Sequence, residues 1–210
     1  MNAQTLIGLA AAATIAPAAM ASYNTALTAA AAPTYSTTLN FDEVGGPTGV
    51  VAPNSWAGIG LADMQAGDGT PFVGDNDTPN GGWGLGTGNS FLGAFGVFMT
   101  FSTDLDALSL QVWDPSGAPS PFGGGAVAFT FNDGVEVANF AFEPAWGGIG
   151  DTWLNITADG GMVFDEVRIL GFGFFPTTVV DNLSWNAVPT PASATLLGMA
   201  GLASARRRRR

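Results

Sequence analysis

Chemistry in this chain falls to oxygen ligands and aromatic faces. Its 210 residues include 17 aspartates and glutamates but no histidine and no cysteine. Without histidine there is no Ser-His-Asp or Cys-His relay, and the usual zinc ligand sets cannot be assembled. A glycosidase needs only two carboxylates a few ångströms apart, yet no motif nominates a pair, so the chain reads as a non-enzyme. Calcium suits it better, because Ca2+ takes oxygen ligands only. The informative stretch is Val179-Val180-Asp181-Asn182-Leu183-Ser184-Trp185. As a strand it places Asp181 on one face with Val179, Leu183 and Trp185. A carboxylate on an inward face needs a compensating partner. Backbone N–H groups or a cation must supply it, since basic side chains are scarce.

Two loop features could also bind a ligand. Asp75-Asn76-Asp77-Thr78-Pro79-Asn80-Gly81-Gly82 is rich in oxygen donors but departs from the EF-hand pattern. Pro79 takes its fifth position and no Glu its twelfth, so it reads as an acidic turn. Of the six tryptophans, Trp113, Trp153 and Trp185 fall in strand patterns and read as core. Trp83 and Trp146 stand among small residues, in Gly81-Gly82-Trp83-Gly84 and Pro144-Ala145-Trp146-Gly147. They are either glycan-stacking platforms or rings tucked over a sheet edge.

Charge removes one class of partner. Five of the six basic residues are Arg206, Arg207, Arg208, Arg209 and Arg210, which leaves Arg168 alone against 17 carboxylates in the rest of the chain. Such a surface repels nucleic acid, whose phosphates must be neutralised by Lys or Arg. It attracts divalent cations instead.

The elements that position these groups are strands. Thirty glycines are about twice the usual share, which favours a turn-rich all-β chain. Tyr35, Thr37, Leu39 and Phe41 alternate, and one or two short strands fit between Val50 and Leu61 around Trp56. Asp63 to Gly93, dense in Gly, Asp, Asn and Pro, reads as a long surface excursion. Alternation returns at Phe95-Val97-Met99-Phe101, at Leu108-Leu110-Val112 and at Val127-Phe129-Phe131. Asp133-Gly134 then predicts a tight hairpin into Val135-Glu136-Val137. Further strands are expected at Trp153 to Thr157, Val163 to Leu170 and Thr178 to Trp185. Short strands at this spacing predict an antiparallel two-sheet β-sandwich, most simply a jelly roll, over residues 35–187.

Both ends depart from that pattern. An apolar run from Leu6 closes at Ala19-Met20-Ala21, a small-x-small site that predicts a signal helix over residues 1–21 with cleavage after Ala21. Residues 22–34 are Ala- and Thr-rich and read as a flexible leader. At the C-terminus, residues 188–210 hold Val188-Pro189-Thr190-Pro191, an uncharged run through Leu196 to Leu202, and the five arginines. About 14 helical residues span roughly 21 Å, short of the ~30 Å hydrocarbon core. The arginines should remain cytoplasmic.

This three-part tail resembles the PEP-CTERM sorting signal of exosortase substrates. Val188, Pro189 and Pro191 match its proline element, with Thr190 where the commonest form has Glu. The resemblance implies an exosortase-like partner and transient anchoring in the inner membrane through the C-terminal hydrophobic helix. It further implies release or attachment at the cell envelope or outside the cell. More locally, Phe41-Asp42-Glu43 together with Asp181-Asn182-Leu183 resembles jelly-roll carbohydrate-binding modules. That likeness implies a structural Ca2+ shared by Asp42 or Glu43 with Asp181. The combined reading is an exported surface or matrix protein with a structural, adhesive or exopolysaccharide-associated sandwich. The alternative is a secreted lectin-like module or carbohydrate-active enzyme carrying the same tail.

Overall fold

The computed structural model describes residues 21–29, 35–43, 46, 48–75, 88–114, 125–142, 145–146, 152–172 and 177–189. Among them there is no α-helix, only a 3-10 turn at Ala57–Ile59. The predicted signal helix, the C-terminal helix, Trp83, Pro191 and Arg206 to Arg210 lie outside the described residues.

Thirteen strands form one connected sheet. They are β1 (Ser22–Thr28), β2 (Thr37–Leu39), β3 (Gly49–Val50), β4 (Leu61–Ala66), β5 (Phe72–Asp75), β6 (Asn89–Ala94) and β7 (Val97–Asp114). Then follow β8 (Gly125–Asn132), β9 (Val135–Phe142), β10 (Ala145–Trp146), β11 (Trp153–Asp159), β12 (Phe164–Phe172) and β13 (Thr177–Ala187). Pairing is antiparallel except for the short β10–β7 contact.

The two alternating runs expected before and after Thr103 are one strand. β7 runs for 18 residues and belongs to two neighbourhoods. Its first residues pair with β4 and β12, and the pairing continues through β8 to β9. Its second half pairs with β13 and β11, and the sheet continues to β6, β5 and β3 on one side and to β1 on the other. Buried residues from both neighbourhoods, such as Met99 and Ile169 on one and Leu108 and Val180 on the other, form a single apolar cluster.

Local chemistry explains several elements. Asp133 (φ 51) and Gly134 (φ 75) both occupy the left-handed region, as the predicted two-residue hairpin requires. On β8 the buried face is Ala126, Ala128 and Thr130, while Phe129 and Phe131 are only half-buried on the other side. Small residues suffice inside because Phe142 and Phe140 stand opposite Ala126 and Ala128 on β9. Outside, the Arg168 guanidinium lies 4.5 Å from the Phe131 ring centroid and 5.9 Å from that of Phe98, and it pairs with Glu166. A cation over aromatic faces compensates for their exposure.

Three expectations need correction. Ser22–Thr28, read as part of a leader over residues 22–34, is a seven-residue strand paired along its length with β11. Tyr23 and Leu27 pack against the core, and their alternation is hidden in sequence by the alanines around them. The excursion read from Asp63 to Gly93 contains β4, β5 and β6. β4 escapes a period-two search because its register on β7 shifts between Leu61 and Asp63, a bulge that breaks the alternation. Around Trp56 there is a 3-10 turn instead of a strand, with the indole buried against Phe41.

Candidate functional site

Strand β13 touches β2, β6 and β7. Its register on β7 moves from Asp181 opposite Gln111 to Ser184 opposite Ser109, so Asn182 and Leu183 together face Leu110. Asn182 takes φ 48, a left-handed conformation that asparagine tolerates better than most residues. This bulge changes which side chains share a face. Val180, Leu183 and Trp185 all enter the apolar cluster, and Asp181 does not accompany Leu183 and Trp185 as simple alternation predicts.

Asp181 is nonetheless 2% exposed. Its Oδ1 accepts the Asn182 backbone N–H at 2.6 Å, and the Asn182 side-chain amide donates to Gln111 Oε1 at 2.9 Å. On β6, the pairing with β13 runs from Ala94 opposite Thr177 to Phe91 opposite Val180, and Ser90 and Asp181 are the next residue on each strand. The Ser90 hydroxyl is fully buried and has no hydrogen-bond partner.

Asp42 reaches the same corner from another direction. β2 docks on β13 through Leu39 and Leu183, and Phe41 then takes φ 63. Such a conformation is costly for a bulky residue, about 1–3 kcal/mol. It is held by burial of the ring against Trp56 and Phe91, with centroids at 5.3 and 6.1 Å. The turn delivers Asp42 Oδ1 to the backbone N–H of Asn89 at 2.6 Å, and the Asn89 amide donates to the Phe41 carbonyl at 3.3 Å. Gly88, at φ 92, has no room for a side chain, since a Cβ would stand 2.1 Å from Asp42 Oδ1. Asp42, itself exposed, therefore lands on the residue before Ser90. Glu43 goes elsewhere. It is exposed, and its carbonyl accepts the Gly46 N–H.

Among the described residues no group of three or more His, Cys, Asp or Glu gathers as a metal site. The β2–β6–β13 corner offers fewer carboxylates but a suggestive donor set. Leaving a buried hydroxyl unpaired costs about 1–3 kcal/mol, so the orphaned Ser90 Oγ, at the end of the β6–β13 pairing, suits a further occupant. All side-chain donors there are oxygen-bearing, which fits Ca2+ and not a soft metal. Asp181, Ser90 and Asp42 would hold such an ion, and it would supply positive charge that the body's one arginine does not. Ser90 and the bulge are invisible to pattern reading. The one local cue is Asn182, a residue that accepts the left-handed turn.

The tryptophans separate. Trp185 is core at 1% exposure, 5.4 Å from Phe101, and Trp153 is half-buried. The Trp146 backbone sits in β10 opposite Asp114. At the tail junction, the Val188 N–H donates to the Asp104 carbonyl at 2.8 Å, and Pro189 is exposed.

A second acidic corner has a pH consequence. The Asp133 N–H faces both Asp165 carboxylate oxygens, at 3.2 and 3.3 Å. Burial first, then the charges of Asp133 and Asp104, push the Asp165 carboxyl above its usual 3.8. A raised carboxyl binds protons more readily folded than unfolded, so this group's contribution to stability falls as pH rises above 3.8 through the folded value. Asp165→Asn is expected to raise the melting temperature at pH 7 and to lose that advantage in acid; thermal scans across pH check it.

No family model and no curated protein matches the chain. Among solved structures it is similar to a glycoside hydrolase family 43 arabinoxylan arabinofuranohydrolase from Bacillus subtilis, in complex with cellotetraose, at 12% identity. The match covers 68% of this chain but only 28% of that one, with a TM-score of 0.37. At that level no residue of the enzyme carries over to this chain.

Proposed function

We propose that the protein is exported, held briefly in the inner membrane by its C-terminal helix, and sorted by an exosortase-like enzyme to the envelope surface or extracellular matrix. The observation that carries this reading is the tail itself, the proline element, short apolar run and five arginines of residues 188–210. It is supported by the end of β13 at Ala187 and the exposure of Pro189, which start the proline element just past the last described strand. The body is then a non-enzymatic β-sandwich of jelly-roll type, structural or adhesive among exopolysaccharide, with Trp83 and Trp146 as its candidate sugar platforms. The total lack of His and Cys supports the non-enzymatic part. Ca2+ at Asp181, Ser90 and Asp42 is part of the same proposal, as a fastener of β2 to β6 and β13.

Fractionation of cells producing the full chain and a chain ending at Ala187 tests the sorting step. The full chain is expected at the envelope or in the medium as a processed, shorter species. The truncated chain is expected free in the periplasm at its translated length, less only its signal peptide. Identical location and no C-terminal processing of the full chain would overturn the reading.

A further inference from the structure

We propose that the α-ammonium group uncovered at Ser22 by signal-peptide removal is a structural cation, which pairs with Asp159 and fastens β1 to the sheet. This rests on the export reading above, with cleavage after Ala21. Hydrolysis of the Ala21–Ser22 peptide bond by a signal peptidase consumes one water and leaves a carboxylate on Ala21 and an ammonium on Ser22.

The sequence makes that ammonium unusual. The chain contains no lysine, and five of its six arginines are in the tail. After both signals are removed, the cations left against 17 carboxylates are Arg168 and the new amino terminus. The structure gives the latter a place. Ser22 stands opposite Asp159 in the β1–β11 register. The Asn24 amide donates to Asp159 Oδ2 at 2.8 Å and to Ser22 Oγ at 3.4 Å, so carboxylate, amide and hydroxyl already form one line. Directly opposed residues have Cβ atoms about 4.5–5.5 Å apart, within reach of a terminal amine.

The strand also has use for a fastener. Among the described residues β1 pairs in the sheet with β11 alone, with the Tyr23 hydroxyl donating to the Val163 carbonyl at 2.8 Å as an added anchor. Residue 21 lies against the Gly160 turn, where a Cβ on Gly160 would be 2.8 Å from the Ala21 Cα. The new ammonium thus sits at the Asp159 end of the strand pair once the chain has folded.

The test uses exported protein whose amino terminus is read by mass spectrometry. Because there is no lysine, an amine-selective acetylating reagent modifies the terminus alone. Acetylation is expected to lower the melting temperature by about 1–3 °C at low salt, the size of an exposed ion pair. It should also speed hydrogen exchange of the β1 amides. Asp159→Asn should reproduce both changes, the two together should do no more than either, and about 1 M salt should shrink the effect. A terminus at Ser22 with no response to acetylation, or with fully additive losses, overturns the proposal and leaves the export reading standing. A terminus elsewhere in exported protein overturns the proposal and the cleavage site after Ala21, and retention of Met1 in a cytoplasmic pool overturns the export reading as well.

Discussion

Trp185→Ala is expected to lower stability by roughly 3–5 kcal/mol, the usual loss for a large aromatic removed from a core. The indole is 1% exposed and lies 5.4 Å from Phe101 on β7, at a contact between β13 and the longest strand. Its backbone simultaneously pairs with Leu108 of β7 and Thr37 of β2. Neighbouring strands are held on several sides, so the cavity cannot collapse easily and the loss should sit at the upper part of that range. Single domains are stable by only about 5–15 kcal/mol in total, and a loss of this size moves the melting point of a chain this long by roughly 10 °C or more. Urea or thermal unfolding followed by tryptophan-independent far-UV signal measures it. Val135→Ala, at a position 65% exposed, is the matched control and should change stability by less than about 0.5 kcal/mol. Equal effects from the two substitutions would show that β13 is not the centre of the core.

The second large effect concerns Asp181 and calcium. Millimolar Ca2+ is expected to raise the melting temperature of the wild type, by roughly 5–10 °C if free ion exceeds its dissociation constant about a hundredfold. A chelator should reverse the rise. Asp181→Ala should abolish the response and also destabilise the ion-free protein, because the Asn182 N–H at the bulge loses its acceptor. Asn182 is exposed, so water can replace part of that bond and the intrinsic loss is about 0.5–1.5 kcal/mol. Ser90→Ala separates the two contributions. With no hydrogen bond to lose, it should leave the ion-free protein unharmed yet weaken the calcium response. Glu43→Gln should do neither, since Glu43 is exposed at a turn. A wild type indifferent to both calcium and chelator ends the cation proposal, and Asp181 then stands as a bulge cap that accepts backbone N–H groups.

The sequence is a good guide where a local rule forces the outcome. Asp133-Gly134 dictates a hairpin because two adjacent left-handed residues are required and these two accept them. Thr37–Leu39, Trp153–Asp159 and Thr177–Ala187 appear where period-two runs place them. It misleads where one extra residue enters a strand. At β4 a bulge disguises a strand as a loop, and at Asn182 a bulge turns Asp181 away from the face assigned to it. On β8 the alternation leaves the core face open, and pairing with Phe140 and Phe142 decides that the alanines belong inside.

By itself the sequence determines the chemical inventory: oxygen donors without imidazole or thiol, a body with one cation, a glycine-rich β pattern, and two terminal segments unlike the rest. Those properties are sums or short-range rules, and no fold is needed to read them. Tertiary structure alone decides adjacency. It carries β2 and β6 onto β13, sets Asp42 on the Asn89 N–H of β6, buries a serine without a partner, and lays Ser22 opposite Asp159. The reason is register. Strands far apart in the chain meet with a pairing fixed by bulges and left-handed turns, and a single-residue shift in one of them would send that strand's side chains to the opposite face.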